Sequence, residues 1–250
     1  MNALCLPKIA VIAGVGSGLG AALARRFVLG GWRVVLFARS SEYIEALASE
    51  LNAKSKSDVA RAIRCDLTDP KQISVAFAKI RKEIGLVDVL VNNASGGGGP
   101  RGSSLMNLDP ASFEQAWRVG VYGALLCSRE AARDMLSPER DGANGAIIFT
   151  GATSSVRGAG IAFSSAKFAS RGLAQGIARE LWPQGIHVAR VIIYGIIGEA
   201  DGKGPMEDSN HEPELYPDAI VEAYWQLVLQ DRSAWTLELD LRPNREKFFE

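Results

Sequence analysis

Ala13-Gly14-Val15-Gly16-Ser17-Gly18-Leu19-Gly20 is the stretch that decides the fold. It follows a short apolar run, Ile9–Ala13, and opens a longer amphipathic one, Leu19–Leu29. A strand, a glycine-rich turn and a helix in that order have the form of a nucleotide-phosphate site. Glycine lets the backbone turn tightly and lets a pyrophosphate come close to the main chain, while the first N–H groups of the helix point at the anion. A glycine pattern alone is weak evidence, and its place between strand and helix gives it weight. The competing reading is a glycine-rich turn with no ligand.

The same alternation continues along the chain. Further strands are expected at Arg33–Ala38, Val59–Cys65, Val87–Val91, Ala146–Thr150, His187–Ile193 and Ala234–Leu239. Helices are expected at Glu42–Leu51, Lys71–Ile84, Ala111–Leu136, Phe163–Leu181 and Pro217–Gln230. Most strand runs are rich in Val, Ile and Leu without strict alternation, as strands covered on both faces should be. The expectation is an α/β fold: one Rossmann domain over residues 1–250, a doubly wound parallel sheet of about seven strands with helices on both faces. Two loops, Ser95–Ser104 and Gly198–Pro217, follow strands at the carboxyl edge, where ligands bind in such sheets. The second reads as a substrate lid or as a surface excursion.

Composition narrows the classes. In 250 residues, Lys+Arg and Asp+Glu each total 28, so no global field draws in nucleic acid or anionic membrane. A hydrophobic share of 47% and a charged share of 22% are ordinary for a soluble domain. Three cysteines, Cys5, Cys65 and Cys127, have no metal-ligand spacing, so no metal site is expected, and they suit a reducing cytoplasm. His187 is expected within a strand and His211 in the possible lid.

Cofactor preference is written at the end of the second strand, Leu36-Phe37-Ala38-Arg39-Ser40. An acid there would hold the ribose hydroxyls of NAD and repel a 2′-phosphate. Ala38 stands in that place and Arg39 follows, a guanidinium suited to phosphate or to stacking on adenine. NADP is therefore favoured over NAD; the alternative is a solvated surface arginine.

Four segments together resemble the short-chain dehydrogenase/reductase family, across about residues 8–195. They are the glycine spacing Gly14, Gly18, Gly20; Cys65-Asp66-Leu67-Thr68-Asp69; Asn92-Asn93-Ala94-Ser95; and Phe163-Ser164-Ser165-Ala166-Lys167. The resemblance implies a cofactor site made of Gly14, Gly16, Ser17, Gly18, Leu19, Gly20, Arg39, Asp66, Leu67, Asn93, Ala94, Ser95 and Lys167. Asp66 would bond the adenine amino group, and Asn93 would steady the central sheet. Local capping is the alternative for each, since Asp69-Pro70 suits a helix start.

The catalytic positions depart from the family. Phe163 stands where the family has its proton-donating tyrosine, and a phenyl ring has no ionisable proton. Thirteen residues earlier, where the family has a carbonyl-polarising serine, stands Thr150, which keeps an O–H or is simply a β-branched strand residue. Lys167, four residues after Phe163 on the same helix face, resembles the lysine that bonds the nicotinamide ribose. The family's helix asparagine has become Gly120, which suggests a kink or a close approach. Tyr194 would lie by the cofactor as a substitute donor, or would pack at a strand end.

The expected activity is therefore hydride transfer between NADP and a small carbonyl or alcohol, with a weakened or non-standard proton donor. A nucleotide-binding sensor or partner subunit without catalysis is the rival, and a non-redox enzyme on the same fold a third reading. The resemblance also implies a homodimer or homotetramer.

Overall fold

A strand covered on both faces needs no polar alternation, and all five residues of β1 (Ile9–Ala13) are buried. This is the centre of a seven-stranded parallel sheet in the computed structural model, which describes residues 7–96, 104–140, 144–198 and 214–246. Its order is β3 (Ala60–Arg64), β2 (Arg33–Ala38), β1, β4 (Val89–Asn92), β5 (Gly145–Thr150), β6 (Ile186–Ile193) and β9 (Glu238–Leu241). Chain order reverses between β1 and β4, which opens a crevice at their carboxyl ends. This is the doubly wound Rossmann fold expected from the alternation.

One sheet face is covered by α1 (Leu19–Leu29), α2 (Glu42–Ser55) and α7 (Pro217–Leu229). The other carries α3 (Pro70–Glu83), α5 (Ala124–Met135) and α6 (Ile161–Leu181). Asp69 caps α3 by accepting from Lys71 N and Gln72 N, with Pro70 at the first helical position. α4 (Pro110–Trp117) begins in the same way at Asp109 and packs on α6 through Ala116, Ala162 and Ala166.

Two expectations are corrected. The last strand lies at Glu238–Leu241 rather than Ala234–Leu239, because the Asp231 side chain caps a 3₁₀ turn over Arg232–Ala234. Pairing with β6 then fixes the strand, Arg190 opposite Glu238. The single long helix of residues 111–136 is α4 and α5 joined by a π-helical turn, Arg118–Gly123. Gly120 lies in that turn, yet a Cβ built on it would meet only Ala166 Cβ, at 3.9 Å. No close approach requires glycine there. The close approach is at Gly123, whose Cβ would stand 2.5 Å from the Leu67 carbonyl oxygen.

These two glycines should respond oppositely. Gly123→Ala is expected to cost about 1–3 kcal/mol in urea unfolding, because backbone must move. Gly120→Ala is expected to be neutral or to stabilise by up to about 1 kcal/mol. Equal losses at both positions would contradict the packing described here.

Candidate active site

The cofactor turn is held from below by the sheet. Gly14 N and Val15 N both donate to Phe37 O, at 3.1 and 2.9 Å, which ties the turn to β2. Gly14 has φ +101°, and a Cβ there would stand 2.5 Å from Ala94 Cα, so only glycine fits against the end of β4. Above this contact lies a cleft of about 840 Å3, within the range of small-ligand sites.

Most of the expected cofactor residues share that cleft. Gly14, Gly16, Asn93, Ala94 and Ser95 line it at the switch point; Arg39, Asp66 and Leu67 line it at the ends of β2 and β3. Ser17 is exposed in the turn, Gly18 precedes α1, and Leu19 and Gly20 are buried in its first turn. The last two seat the helix on the sheet. Arg39 is exposed, and its guanidinium has no partner among the described residues. One Asp66 carboxylate oxygen accepts from Thr68 N and Thr68 Oγ1, both at 2.9 Å, a local turn that leaves the other oxygen uncommitted among the described residues.

Thr150 does not present its hydroxyl to the cleft. Along β5, Ile147 and Phe149 face the α6 side and Ile148 the α7 side, so Thr150 follows Ile148 toward α7. There it donates to Asn93 Oδ1 at 3.0 Å and, with its proton so placed, accepts from the Tyr224 hydroxyl at 2.8 Å. Asn93 Nδ2 in turn donates to Gly14 O at 2.7 Å. The chain Tyr224–Thr150–Asn93–Gly14 thus runs from α7 to the cofactor turn. Tyr224 was not legible in the sequence, since it reads as one more apolar position of α7; burial pushes its phenol pKa up.

Lys167 comes from the opposite face and donates from Nζ to the Thr150 carbonyl at 3.0 Å. Its ammonium lies 5.5 Å from the Phe163 ring centroid. Both line a small inner cavity of about 20 Å3, together with Gly120, Thr150 and Asn92. Desolvation, and then the nearby Arg190 charge, bring the Lys167 pKa down to about 8. Arg190, fully buried on β6, donates from Nη2 to Lys167 O at 3.0 Å and from Nη1 to Ser170 Oγ at 3.4 Å. Burial lowers its own pKa to about 10, against the opposing effect of Glu238.

Tyr194 is not brought to this cluster. It is buried after β6, with the Arg242 guanidinium 3.3 Å from its ring centroid. Burial and the nearby Asp240 carboxylate push its pKa up. The continuation of β6 past Ile193 carries it toward the C-terminal strand. The expected lid falls largely outside the described residues at 199–213, as does His211. The described residues flanking it pair as β7 (Ile196–Ile197) and β8 (Glu214–Leu215), and Gly198 O lies 3.5 Å from where a Gly18 Cβ would stand. Cys5 is also outside the described residues, while Cys65 and Cys127 are free and buried. No group of metal-ligating side chains occurs among the described residues.

Comparison with known proteins agrees with this geometry. The family model for short chain dehydrogenase matches residues 8–203. Human Dehydrogenase/reductase SDR family member 11 is 27% identical over 252 residues, spanning 96% of this chain and 95% of that protein. A short-chain dehydrogenase from Rhodopseudomonas palustris superposes with a TM-score of 0.75 at 30% identity, covering 94% of this chain and 98% of the other. A metagenomic short-chain oxidoreductase in complex with NADP gives 0.78 at 27% identity, covering 96% and 98%. The chain belongs to the short-chain dehydrogenase/reductase family, and with it to the NAD(P)-dependent oxidoreductases.

The inward-facing hydroxyl makes Thr150 a structural residue in its side chain. Thr150→Val should leave Asn93 Oδ1 and the Tyr224 hydroxyl unpaired and cost about 1–3 kcal/mol in urea unfolding, with Thr150→Ser close to wild type. A valine variant as stable as wild type would show that the hydroxyl is free.

Proposed function

We propose that this protein is an NADP-preferring oxidoreductase for a small carbonyl or alcohol, working without the family's tyrosine. The observation that carries the cofactor preference is Arg39 on the cleft wall, free of partners among the described residues, with Ala38 where an acid would repel a 2′-phosphate. The glycine turn fits a pyrophosphate, because its backbone is exposed at Gly16 and Ser17 and the start of α1 follows directly. The uncommitted Asp66 oxygen suits an adenine amino group, and Lys167 suits the nicotinamide ribose.

When bound, the nicotinamide supplies the hydride chemistry. The protein's part is to fix both reactants at the carboxyl edge of the sheet, and positioning alone accounts for much of an enzyme's acceleration. Exposed apolar side chains from α4 through α5 and on α6, Trp117, Tyr122, Leu125 and Phe168, favour a homodimer or homotetramer built on those helices. Buried free thiols agree with a reducing cytoplasm. One observation favours the rival reading of a non-catalytic nucleotide binder: Phe163 and the inward Thr150 remove both family hydroxyls from the substrate position.

Two measurements decide between them. Fluorescence titration should show NADPH binding more tightly than NADH, with Arg39→Asp weakening NADPH on the order of 10- to 100-fold, the loss of one charge-assisted contact. If NADH binds equally well and the variant changes nothing, the preference is wrong. Phe163→Tyr should raise turnover across a panel of small aldehydes and ketones by about tenfold or more, since a positioned acid supplies about 10²–10⁴-fold. No turnover in either protein, with NADPH still bound, would favour the binder.

A further inference from the structure

Once the hydroxyls are placed, few proton carriers remain near Phe163. The Thr150 proton is on Asn93, Tyr194 is buried beyond β6 under Arg242, and Tyr224 is buried against Thr150. Ser170 accepts from Arg190. In the outer cleft, Asp109 caps α4 through Ala111 N and Ser112 N, Asp66 closes its own turn, and burial pushes the Cys65 thiol up to about 12. Among the described residues lining the inner cavity, Lys167 is the one titratable side chain.

We propose that Lys167 is itself the acid–base residue of this site, giving a proton from Nζ to the oxygen of a bound carbonyl and taking it back in the reverse reaction. The proposal rests on the oxidoreductase reading above. In reduction, the carbonyl carbon gains the hydride pair released as reduced nicotinamide is oxidised. The C=O π pair moves to oxygen, an Nζ–H bond breaks, an O–H bond forms, and the neutral amine regains its proton from water.

Geometry supports this role. The ammonium sits one helical turn from the ring that replaces the phenol, 5.5 Å from its centroid. One of its three N–H groups is held by Thr150 O, which aims the side chain and leaves two others. Arg190 on β6 is the one charge acting on it among the described residues. The carboxylate beyond, Glu238 on β9, is bonded bidentately to Arg171 one turn further along α6. No carboxylate bonds Nζ among the described residues, so nothing there pins the proton on the amine. A group titrating near about 8 is matched to proton transfer at neutral pH, where a surface lysine would hold its proton too tightly.

The test has a binding-free arm and a catalytic arm. Pulse acetylation of the free protein between pH 6 and 11, read by mass spectrometry, compares Lys167 with the lysine of an unstructured peptide. The midpoint for Lys167 should fall at about 8, below that of the unperturbed lysine amine of the peptide. Co-titration of the two would overturn the proposal. In the second arm, Lys167→Arg keeps a cation but has no proton to give near neutrality. At saturating NADPH it should lose on the order of 10²-fold in kcat. The wild-type reduction rate should fall as pH rises past about 8, and the variant should lack that limb. Adding Phe163→Tyr to Lys167→Arg should restore turnover, which also checks that the variant is folded. A Lys167→Arg enzyme that keeps both kcat and the alkaline limb sinks the lysine assignment alone. Wild-type protein that binds NADPH and reduces no carbonyl sinks the oxidoreductase reading instead.

Discussion

The rest of the site depends on one backbone contact, Gly14 lying against Ala94 at the point where the strand order reverses. A Cβ at position 14 would stand 2.5 Å from the Ala94 main chain. Because none is there, the turn after β1 sits directly on the end of β4. Asn93 then reaches across, donating to Gly14 O and accepting from Thr150. Three strand ends, β1, β4 and β5, are locked into one floor, and the cleft is the space above it. The inner cavity and the Lys167 contact with Thr150 O are referenced to the same floor.

Beneath it the protein buries two cations with little direct compensation. Arg190 and Lys167 are joined by a main-chain contact, and Glu238, opposite Arg190 on β9, is bonded by Arg171. Burying charge is unfavourable, and the groups respond by lowering their pKa values. The Arg190 Nε has no acceptor among the described residues, which marks this as a strained electrostatic arrangement. Perturbed groups of this kind concentrate at functional sites. Here the perturbation falls on Lys167, one helical turn from Phe163.

Much of the fold was legible in the residues. β1, β2 and α1 lie where periodicity and the glycine turn put them, and Asp69-Pro70 does begin a helix. The last strand was misplaced because its position comes from pairing with β6 and from the Asp231 cap, neither of which leaves a periodic trace. The π-helical turn was hidden for a similar reason. Gly120 drew attention as an unusual helix residue, while Gly123 is the one the packing requires, and that follows from a contact with Leu67, distant in sequence.

By itself the sequence determined the doubly wound sheet, the glycine turn that opens on the cleft, and a side chain at residue 163 with no ionisable proton. These follow from local patterns: apolar runs, glycine where backbone must approach backbone, and side-chain chemistry that no fold can change. Tertiary structure alone decided where the remaining protons point. Thr150 turns toward Tyr224, Tyr194 toward Asp240, and Lys167 sits desolvated beside Arg190. Each of these depends on which way a residue faces from its strand end or helix, and on partners brought from elements distant in sequence.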